Sequence, residues 1–247
     1  MATTSLMPVE QILEVPLTWV PRRYIWSNYP AALIYFPFFL FLRNTMIICV
    51  FTVVATVASC ALVAYGFSRI SWPGRNLVFA ILIATMMIPY HVTLIPTFLI
   101  YKWLRWLDTL KPLTIPALTG SAFYIFLLRQ FFMTIPNDLS EMAEMDGAGD
   151  FRVFWNMILP LSKPALSAVA VFTFLGSWND FLWPLLVLNS EDKYTLSLGL
   201  YRYIGRYSAQ WGLLMAACTM VTVPVIVLFF VAQRYFVQGI TLTGIKG

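Results

Sequence analysis

Residues 44–68 read NTMIICVFTVVATVASCALVAYGFS, and no charged residue occurs between Arg43 and Arg69. About 20 consecutive apolar residues in a helix are enough to cross the hydrocarbon core of a bilayer. A helix pairs its backbone polar groups within its own segment, whereas a closed β-barrel needs apolar and polar residues to alternate. The stretch shows no such alternation and therefore predicts a transmembrane α-helix.

Four further stretches are apolar over a comparable length. They are residues 76–101, interrupted by Pro89, His91 and Pro96; residues 112–128, with 135 as an alternative end; residues 164–188, with Asp180 as the one charge; and residues 207–233. Each is close to the length that a membrane span requires. The sequence therefore predicts an all-α integral membrane protein, a bundle of five transmembrane helices.

The composition supports a membrane location and excludes other classes. Of the 247 residues 60% are hydrophobic and 11% are charged, whereas a soluble domain carries about 25% charged residues. Lipid is therefore the expected solvent for much of the surface. The net charge of +5 comes from scattered Lys and Arg, so we expect no nucleic-acid partner. Cys49, Cys60 and Cys218 lie in apolar runs without metal-site spacing, and we expect packing residues, no metal and no cofactor.

The first 42 residues differ from the rest of the chain. They contain four charged side chains before Asn28 and no apolar core of a cleavable signal peptide. Residues 31–42 are apolar but short, with Pro37 among them, which favours an interfacial helix over a span. We therefore divide the chain into an extracytoplasmic or interfacial segment, 1–42, and a transmembrane domain, 43–247.

A charged segment, residues 136–163, separates the third and fourth predicted spans. Residues 139–164 read LSEMAEMDGAGDFRVFWNMILPLSKP. Asn137 or Asp138 is placed to cap a short helix, and Gly147 and Gly149 to end it. A second short helix is then expected from Asp150. Its apolar residues at helical spacing are Phe151, Phe154, Trp155 and Ile158. The segment predicts a helix–turn–helix whose first helix is exposed and suited to docking on another protein.

This segment resembles the cytoplasmic coupling loop of binding-protein-dependent ABC importer permeases. The family pattern is E-A-A, three residues, G, nine residues, then I-x-L-P. Glu141, Ala143 and Gly147 match it, and Ile158, Leu159 and Pro160 follow, whereas Met142 replaces the middle alanine. The resemblance implies that coupling to an ATPase is carried by Glu141, Met142, Ala143, Asp146, Gly147 and Ala148.

Other motifs are similar to those of carbohydrate-uptake permeases, especially the second permease of maltose-type importers. They are Asn28-Tyr29, Arg43-Asn44-Thr45, the AYGFSR run at 64–69, the WNDF run at 178–181, and the tail 236–247. The family usually has six spans, so one further span is expected ahead of Asn28. The resemblance implies a multi-pass protein of the bacterial cytoplasmic (inner) membrane.

The same resemblance implies partners and a division of labour. No G-x-x-x-x-G-K-[ST] loop occurs in the sequence, so ATP hydrolysis is expected on two separate ATP-binding subunits, and this chain is expected to be a non-catalytic permease. A second permease, forming a heterodimer, and an extracytoplasmic sugar-binding protein complete the implied importer. The implied activity is ATP-driven import of a sugar or oligosaccharide.

Candidate pathway residues lie inside the predicted spans. Asp180 is the sole carboxylate in a span, and an ion in a bilayer has to face a cavity or a partner. With Trp178 and Asn179 it offers the aromatic and polar groups that sugars bind, although a structural hydrogen-bond network between spans explains it equally simply. Weaker candidates, for which ordinary packing is the simpler reading, are Tyr90, His91, Ser121 and Tyr124.

Other functions stay open from the residues alone. A secondary transporter or channel without ATPase subunits commonly has paired ionisable residues in its spans and internal repeats, but Asp180 is nearly alone and no two halves match. A membrane enzyme is disfavoured by a single histidine and the lack of a catalytic cluster. Glycerol phosphate remains an alternative solute, although a phosphate favours Arg or Lys in the pathway, and the spans offer none clearly.

Overall fold

The structure is a computed structural model that describes residues 1–15, 18–204 and 210–243; in the last helix it describes side chains through residue 231 and at 233. Within those ranges the elements of regular secondary structure are all helices. The fold class predicted from the sequence, all-α, is confirmed.

The principal helices are labelled in chain order. They are α1 (Asn28–Tyr35), α2 (Phe38–Ser68), α3 (Arg75–Ala84), α4 (Tyr90–Trp103), α5 (Ala122–Thr134), α6 (Asp138–Met145), α7 (Asp150–Leu161), α8 (Lys163–Asn179), α9 (Leu182–Val187), α10 (Leu196–Tyr201) and α11 (Trp211–Thr243). Shorter helical turns include Thr4–Leu6, Val9–Ile12, Thr85–Met87, Lys111–Thr114, Ile115–Thr119 and Glu191–Lys193.

Three helical segments are long and apolar enough to cross a membrane on their own, namely Phe38–Ser68, Lys111–Thr134 and Trp211–Val231. Two further pairs reach the same length and composition only together, and each is bent. Arg75–Met87 meets Tyr90–Trp103 at 98°, and Asp150–Leu161 meets Lys163–Asn179 at 77°. The described residues therefore supply up to five spans, in agreement with the five predicted.

Several predicted boundaries are wrong for identifiable reasons. Residues 31–42 are not one interfacial helix, because Pro37 separates α1 from the start of α2 and accepts the first helical hydrogen bond of α2, from the Phe41 N–H, at 3.1 Å. Proline is tolerated there because the first residues of a helix have no partner for their N–H groups. The apolar residues after Pro37 therefore extend the first span toward the N-terminus.

The second and fourth spans are broken, not continuous. Ile88 and Pro89 are extended, which ends one helix and begins α4, as the steric restriction before a proline favours. The fourth span ends at Asn179, and α9 follows after Asp180 and Phe181. The third span runs on past 128 to Thr134, which agrees with the alternative end predicted at 135. The predicted start of the fifth, at 207, lies outside the described residues, and its helix extends beyond 233 to Thr243.

One compact unit comprises Met1–Ile48, Leu107–Leu110 and Leu175–Phe230. Its core includes the ring of Phe36, whose centroid lies 5.2 Å from that of Phe41 and 5.4 Å from that of Tyr203. Gly199 packs so closely on these rings that an added Cβ would lie 2.6 Å from Phe41. The Tyr203 hydroxyl donates to the Ala32 carbonyl at 2.8 Å, which fixes α1 to the segment after α10.

The other unit comprises Cys49–Trp106, Lys111–Phe174 and Val231–Gly247. Its buried cluster joins α2, α5, α7 and α8. Members from these helices are Cys60, Ala61, Ala64, Tyr65, Leu128, Phe132, Val153, Phe154, Ile158 and Val169. Small residues of α2 allow close approach of the large side chains, so this unit supplies a packed base for the segment between α5 and α8.

Candidate coupling hairpin and solute cavity

The first helix of the predicted coupling segment, α6, is exposed except at Ser140 and Ala143, which are partly buried. Met145 is 81% exposed. The helix ends at Gly147, whose φ of +83° lies in the left-handed region. The Ala148 N–H donates to the Ala143 carbonyl and the Gly147 N–H to the Glu144 carbonyl, each at 2.9 Å. These two bonds form a Schellman cap, for which glycine is the preferred residue.

The N-terminal cap of α6 differs from the prediction. The Asn137 side chain makes no capping bond; its Oδ1 instead accepts a hydrogen bond from Arg69 at 2.6 Å. The Asn137 carbonyl accepts the first helical bonds, from the Ser140 N–H at 2.8 Å and the Glu141 N–H at 3.1 Å. The first turn is therefore held by backbone bonds, and the Asn137 amide connects the hairpin to another helix.

The second helix, α7, begins at Asp150 as predicted and contains a π-helical turn, Phe154–Ile158. Its predicted apolar stripe is split. Phe154 and Ile158 are buried, whereas Phe151 and Trp155 are 70% and 61% exposed. The two exposed rings stack with centroids 6.3 Å apart and border an apolar groove. The stripe is split because Val153, and not Phe151 or Trp155, packs with Phe154 and Ile158 in the buried cluster.

The predicted pathway residues fall into two groups. Trp178 and Asn179 lie in the first unit and line one cavity of about 340 Å³ together with Phe181, Ser197 and Tyr201. Aliphatic side chains complete the wall, and the described lining residues include no charged side chain. Three aromatic rings, an amide and two hydroxyls therefore surround a volume within the usual range of small-molecule sites.

Asp180 lies beside this cavity and is not among its lining residues. Its carboxylate accepts a hydrogen bond from the Trp183 N–H, in the first turn of α9, at 3.3 Å. The Ser197 hydroxyl donates to the Asp180 carbonyl at 2.5 Å, which links the end of α8 to α10. Both bonds join Asp180 to the short helices that follow α8 in the same unit.

The other candidates lie in the second unit. Tyr90 and His91 begin α4 after Pro89 and are exposed, with their rings edge-on and centroids 5.7 Å apart. Ser121 precedes α5, and its N–H donates to the Cys60 sulfur at 3.2 Å. Tyr124 packs against the buried cluster of this unit. No group of three potential metal ligands occurs within the described ranges.

Comparison with known proteins adds to this geometry. Residues 57–242 match the model of a protein family described as the binding-protein-dependent transport system inner membrane component. The match covers most of the chain, including the hairpin. The chain belongs to this family. It is an inner membrane permease of the ABC importer class.

Curated relatives match this permease over nearly its whole length. The arabinooligosaccharides transport system permease protein AraQ of Bacillus subtilis (strain 168) is 33% identical over an alignment of 249 positions, which covers 98% of this chain and 87% of AraQ. The sn-glycerol-3-phosphate transport system permease protein UgpE of Yersinia enterocolitica is 36% identical over 242 residues, which cover 93% and 84%.

Solved structures confirm the fold of the permease. A chain of a bacterial ABC transporter that imports the acidic polysaccharide alginate superposes with a TM-score of 0.85 at 26% identity, covering 95% of this permease and 88% of that chain. A chain of the inward-facing MetNI methionine ABC transporter gives a TM-score of 0.59 at 17% identity, with 86% and 98% covered, and supports the fold alone.

Of the residues that line the permease's cavity, the sequence predicted Trp178 and Asn179 and missed the others. Phe181 directly follows the Trp178–Asp180 run and was within reach of that motif. Ser197 and Tyr201 are four residues apart on α10 and therefore share a helix face, but α10 was hidden in a segment without a long apolar run. A short amphipathic helix between two spans was the signal that would have revealed them.

Proposed function

We propose that this permease translocates a sugar or oligosaccharide, driven by ATP hydrolysis on separate subunits. The observation that carries the proposal is the hairpin: an exposed helix, α6, closed by a left-handed Gly147 and followed by α7, whose Val153, Phe154 and Ile158 anchor it in the buried cluster. An exposed amphipathic helix on a rigid base is suited to a groove on another protein. The permease subunit itself carries out no ATP chemistry in this proposal.

The coupling surface consists of Glu141, Met142, Ala143, Asp146, Gly147 and Ala148. Glu141, Met142, Asp146 and Gly147 are exposed, and Ala143 and Ala148 are partly buried beneath them. The partners are two ATP-binding subunits, a second permease and an extracytoplasmic binding protein. The proposed domains are residues 43–247 as the transmembrane domain and residues 1–42 as the extracytoplasmic or interfacial segment, although the helix of the first span already starts at Phe38.

A neutral sugar is the solute class that the cavity favours. The relatives' names indicate different solutes, arabinooligosaccharides for AraQ and sn-glycerol-3-phosphate for UgpE. A phosphate or a uronate is normally met by Arg or Lys, and the described residues that line the cavity include neither. Aromatic faces with nearby hydroxyl and amide groups instead match the apolar and polar faces of an uncharged sugar ring.

The pathway in this proposal includes Trp178 and Asn179 at the cavity and Asp180 as the residue that supports it. Tyr90, His91, Ser121 and Tyr124 are further pathway candidates from the sequence. Asp180 supports the cavity through its carbonyl, which accepts from Ser197, a lining residue. The Asp180 carboxylate accepts a hydrogen bond from the first turn of the neighbouring α9, so its removal is expected to loosen the cavity wall.

The decisive experiment is transport by the assembled importer in proteoliposomes. The complex is purified from native membranes and its subunits are identified by mass spectrometry. ATP-dependent uptake of arabinobiose, maltose and sn-glycerol 3-phosphate is then measured with the extracytoplasmic binding protein supplied on the side opposite ATP. The proposal expects two ATP-binding subunits and a second permease, with uptake of at least one neutral sugar. Recovery of this chain alone, active without ATP, would overturn it in favour of a secondary transporter.

A substitution in the cavity tests the pathway itself. Tyr201→Ala removes an aromatic face that is 56% exposed, and Tyr24→Ala is its matched control, since Tyr24 is 57% exposed in the same unit and outside the cavity lining. Loss of one aromatic and hydrogen-bonding contact predicts about tenfold lower uptake efficiency. Equal uptake by both variants would remove the cavity from the pathway.

A further inference from the structure

The AYGFSR run at residues 64–69 supplies side chains that fasten the coupling hairpin. Arg69 directly follows α2, and its guanidinium donates three hydrogen bonds. Nη1 donates to the Asn137 Oδ1 at 2.6 Å, and Nη2 donates to the Phe132 carbonyl at 2.6 Å and to the Ile135 carbonyl at 2.5 Å. One side chain therefore joins the end of α2, the end of α5 and the first residue of the hairpin.

The Arg69 guanidinium lies at the C-terminal end of α5, where a positive charge is favourable. The last carbonyls of a helix have no partner within the helix and carry partial negative charge. Arg69 satisfies two carbonyls at that end and adds a positive charge beside them. Its planar, permanently charged group can serve several acceptors at fixed angles, which a lysine cannot do.

A second contact fastens the other helix of the hairpin to α2. The Tyr65 hydroxyl donates to the Asp150 carbonyl at 3.1 Å, and Asp150 is the first residue of α7. The Tyr65 ring packs on Phe154 with centroids 5.1 Å apart, and both side chains are buried. Tyr65 and Arg69 are four residues apart, so they leave α2 from the same side.

Arg129 strengthens the same base. Its Nε donates to the Phe67 carbonyl at 3.1 Å, and its guanidinium lies over the Phe79 ring at 4.1 Å from the centroid. This contact connects α5 to the end of α2 and to α3. The base of the hairpin is therefore a set of helix ends joined by side chains, while α6 remains uncovered.

We propose that Arg69 and Tyr65 form a two-point latch that makes the coupling hairpin and the adjoining end of α2 move as one rigid body. In this view they are positioning residues. A displacement of α6 by an ATPase subunit reaches the first span through the latch instead of being absorbed by bending at Asn137. Packed elements with discrete arrangements transmit displacement in this way, whereas soft segments do not. The inference rests on the proposed function.

The test is the number of ATP molecules hydrolysed per solute molecule imported by the assembled importer in proteoliposomes. Arg69→Ala, Arg69→Lys and Tyr65→Phe are compared with Arg75→Ala. The control also removes an arginine that donates to a carbonyl, that of Ile70 at 3.0 Å, but it does not touch the hairpin. Importer assembly is checked by gel filtration, so that misfolded variants are recognised.

The latch predicts that its variants uncouple ATP hydrolysis from solute uptake and do not lose both activities together. Arg69→Ala is expected to retain ATP hydrolysis while uptake falls about tenfold, which raises the ATP cost per solute by the same factor; a factor of ten corresponds to about 1.4 kcal/mol. Arg69→Lys should give partial recovery and Tyr65→Phe a smaller defect, while Arg75→Ala keeps the normal ratio. If Arg69→Ala imports with the normal ratio, or loses hydrolysis and uptake in parallel while still assembled, the latch is overturned.

The same experiment distinguishes an error in the latch proposal from an error in the proposed function. If the unmodified importer shows no ATP-dependent uptake, the function proposed for the chain is wrong. If the unmodified importer couples normally and Arg69→Ala does so as well, only the latch is wrong. A double variant, Arg69→Ala with Asn137→Ala, provides an internal check, since residues of one contact are expected to give less than additive effects.

Discussion

Two segments, the coupling hairpin and residues 188–195, are each held by hydrogen bonds to one charged side chain, and these two side chains have opposite charges. In the coupling hairpin, Arg69 donates to three acceptors. In residues 188–195, here called the Asp108 loop, the Asp108 carboxylate accepts from the Asn189 N–H, the Ser190 N–H and hydroxyl, and the Lys193 ammonium group, at 2.5–3.0 Å. The charged group that holds the hairpin is a permanent cation, and the one that holds the Asp108 loop is a carboxylate. Each of these two side chains is called a hub below.

The two segments also differ in what they leave uncovered. The Asp108 loop closes on itself and on α2: the Asn44 amide donates to the Asp192 and Tyr194 carbonyls, and the Thr45 hydroxyl accepts from the Leu196 N–H at 2.9 Å. The hairpin instead leaves α6 exposed. The Asp108 loop is therefore held by bonds within its own unit, whereas the hairpin leaves a helix exposed that is available for the proposed coupling contact.

The largest expected effect comes from breaking the turn of the hairpin. Gly147→Val places a β-branched residue at a φ of +83°, at a cost of about 2 kcal/mol. An added Cβ meets no atom within 4 Å, so the cost is conformational and not steric. Uptake by the assembled importer is expected to be abolished, while the chain still inserts into the membrane.

Gly149→Val is the matched control for this prediction. Gly149 has φ −77° and ψ 166°, which valine adopts readily, and its added Cβ also meets open space. Uptake and membrane insertion are measured for both variants side by side. Normal uptake by Gly147→Val would show that the shape of this turn has no part in coupling.

These predictions depend on features that the sequence reveals to different degrees. The charge-free run 44–68 marks a span because lipid excludes charge, and Gly147 marks a turn because few other residues tolerate its backbone angles. The break at Pro89 was visible as a proline, but the 98° bend depends on how the two helices pack. The helical pattern also failed to reveal which aromatic residues of α7 are buried.

The two hubs were beyond local sequence reasoning. Arg69 and Asn137 are 68 residues apart, and Asp108 and Ser190 are 82 apart. A single arginine or aspartate beside a span has many plausible partners, and only the folded chain selects among them. The resemblance drew attention to the AYGFSR run without indicating what it contacts, and Asp108 belonged to no motif.

An effect of intermediate size is expected from substitution of Asp108. Because this hub is a carboxylate and the other is an arginine, the two segments are expected to respond differently to pH. The hydrogen bonds from Ser190, followed by those from Lys193 and Asn189, hold the pKa of Asp108 well below its ordinary value. A depressed folded-state pKa means that the stabilisation is fully present above the unfolded pKa, about 3.9, and is lost as the pH falls through the folded value. Arg69 has no corresponding transition.

Hydrogen exchange of residues 188–195, corrected for the intrinsic pH dependence, measures this contribution. Asp108→Asn is expected to lose protection worth about 2 kcal/mol at pH 7, because the neutral amide no longer pairs with the charged Lys193. Asp192→Asn is the control, since Asp192 is exposed and accepts a hydrogen bond from Asn44 through its carbonyl, not its carboxylate. Protection that is equal in both variants would contradict the role of Asp108 as the hub.

The smallest effect is expected at the ion pair between Glu191 and Arg202, which lies at the edge of the same loop. Arg202 donates two hydrogen bonds to the Glu191 carboxylate and thereby lowers the pKa of Glu191, yet both side chains are well exposed. Water and salt screen such a pair, and ordering two long side chains opposes it. Glu191→Gln should therefore leave exchange of residues 188–195 unchanged, as Glu14→Gln should in the similarly exposed pair with Arg22. A loss of protection in Glu191→Gln alone would mean that the loop depends on its surface charge as well as on Asp108, because the Glu14 pair is also exposed but lies in another segment.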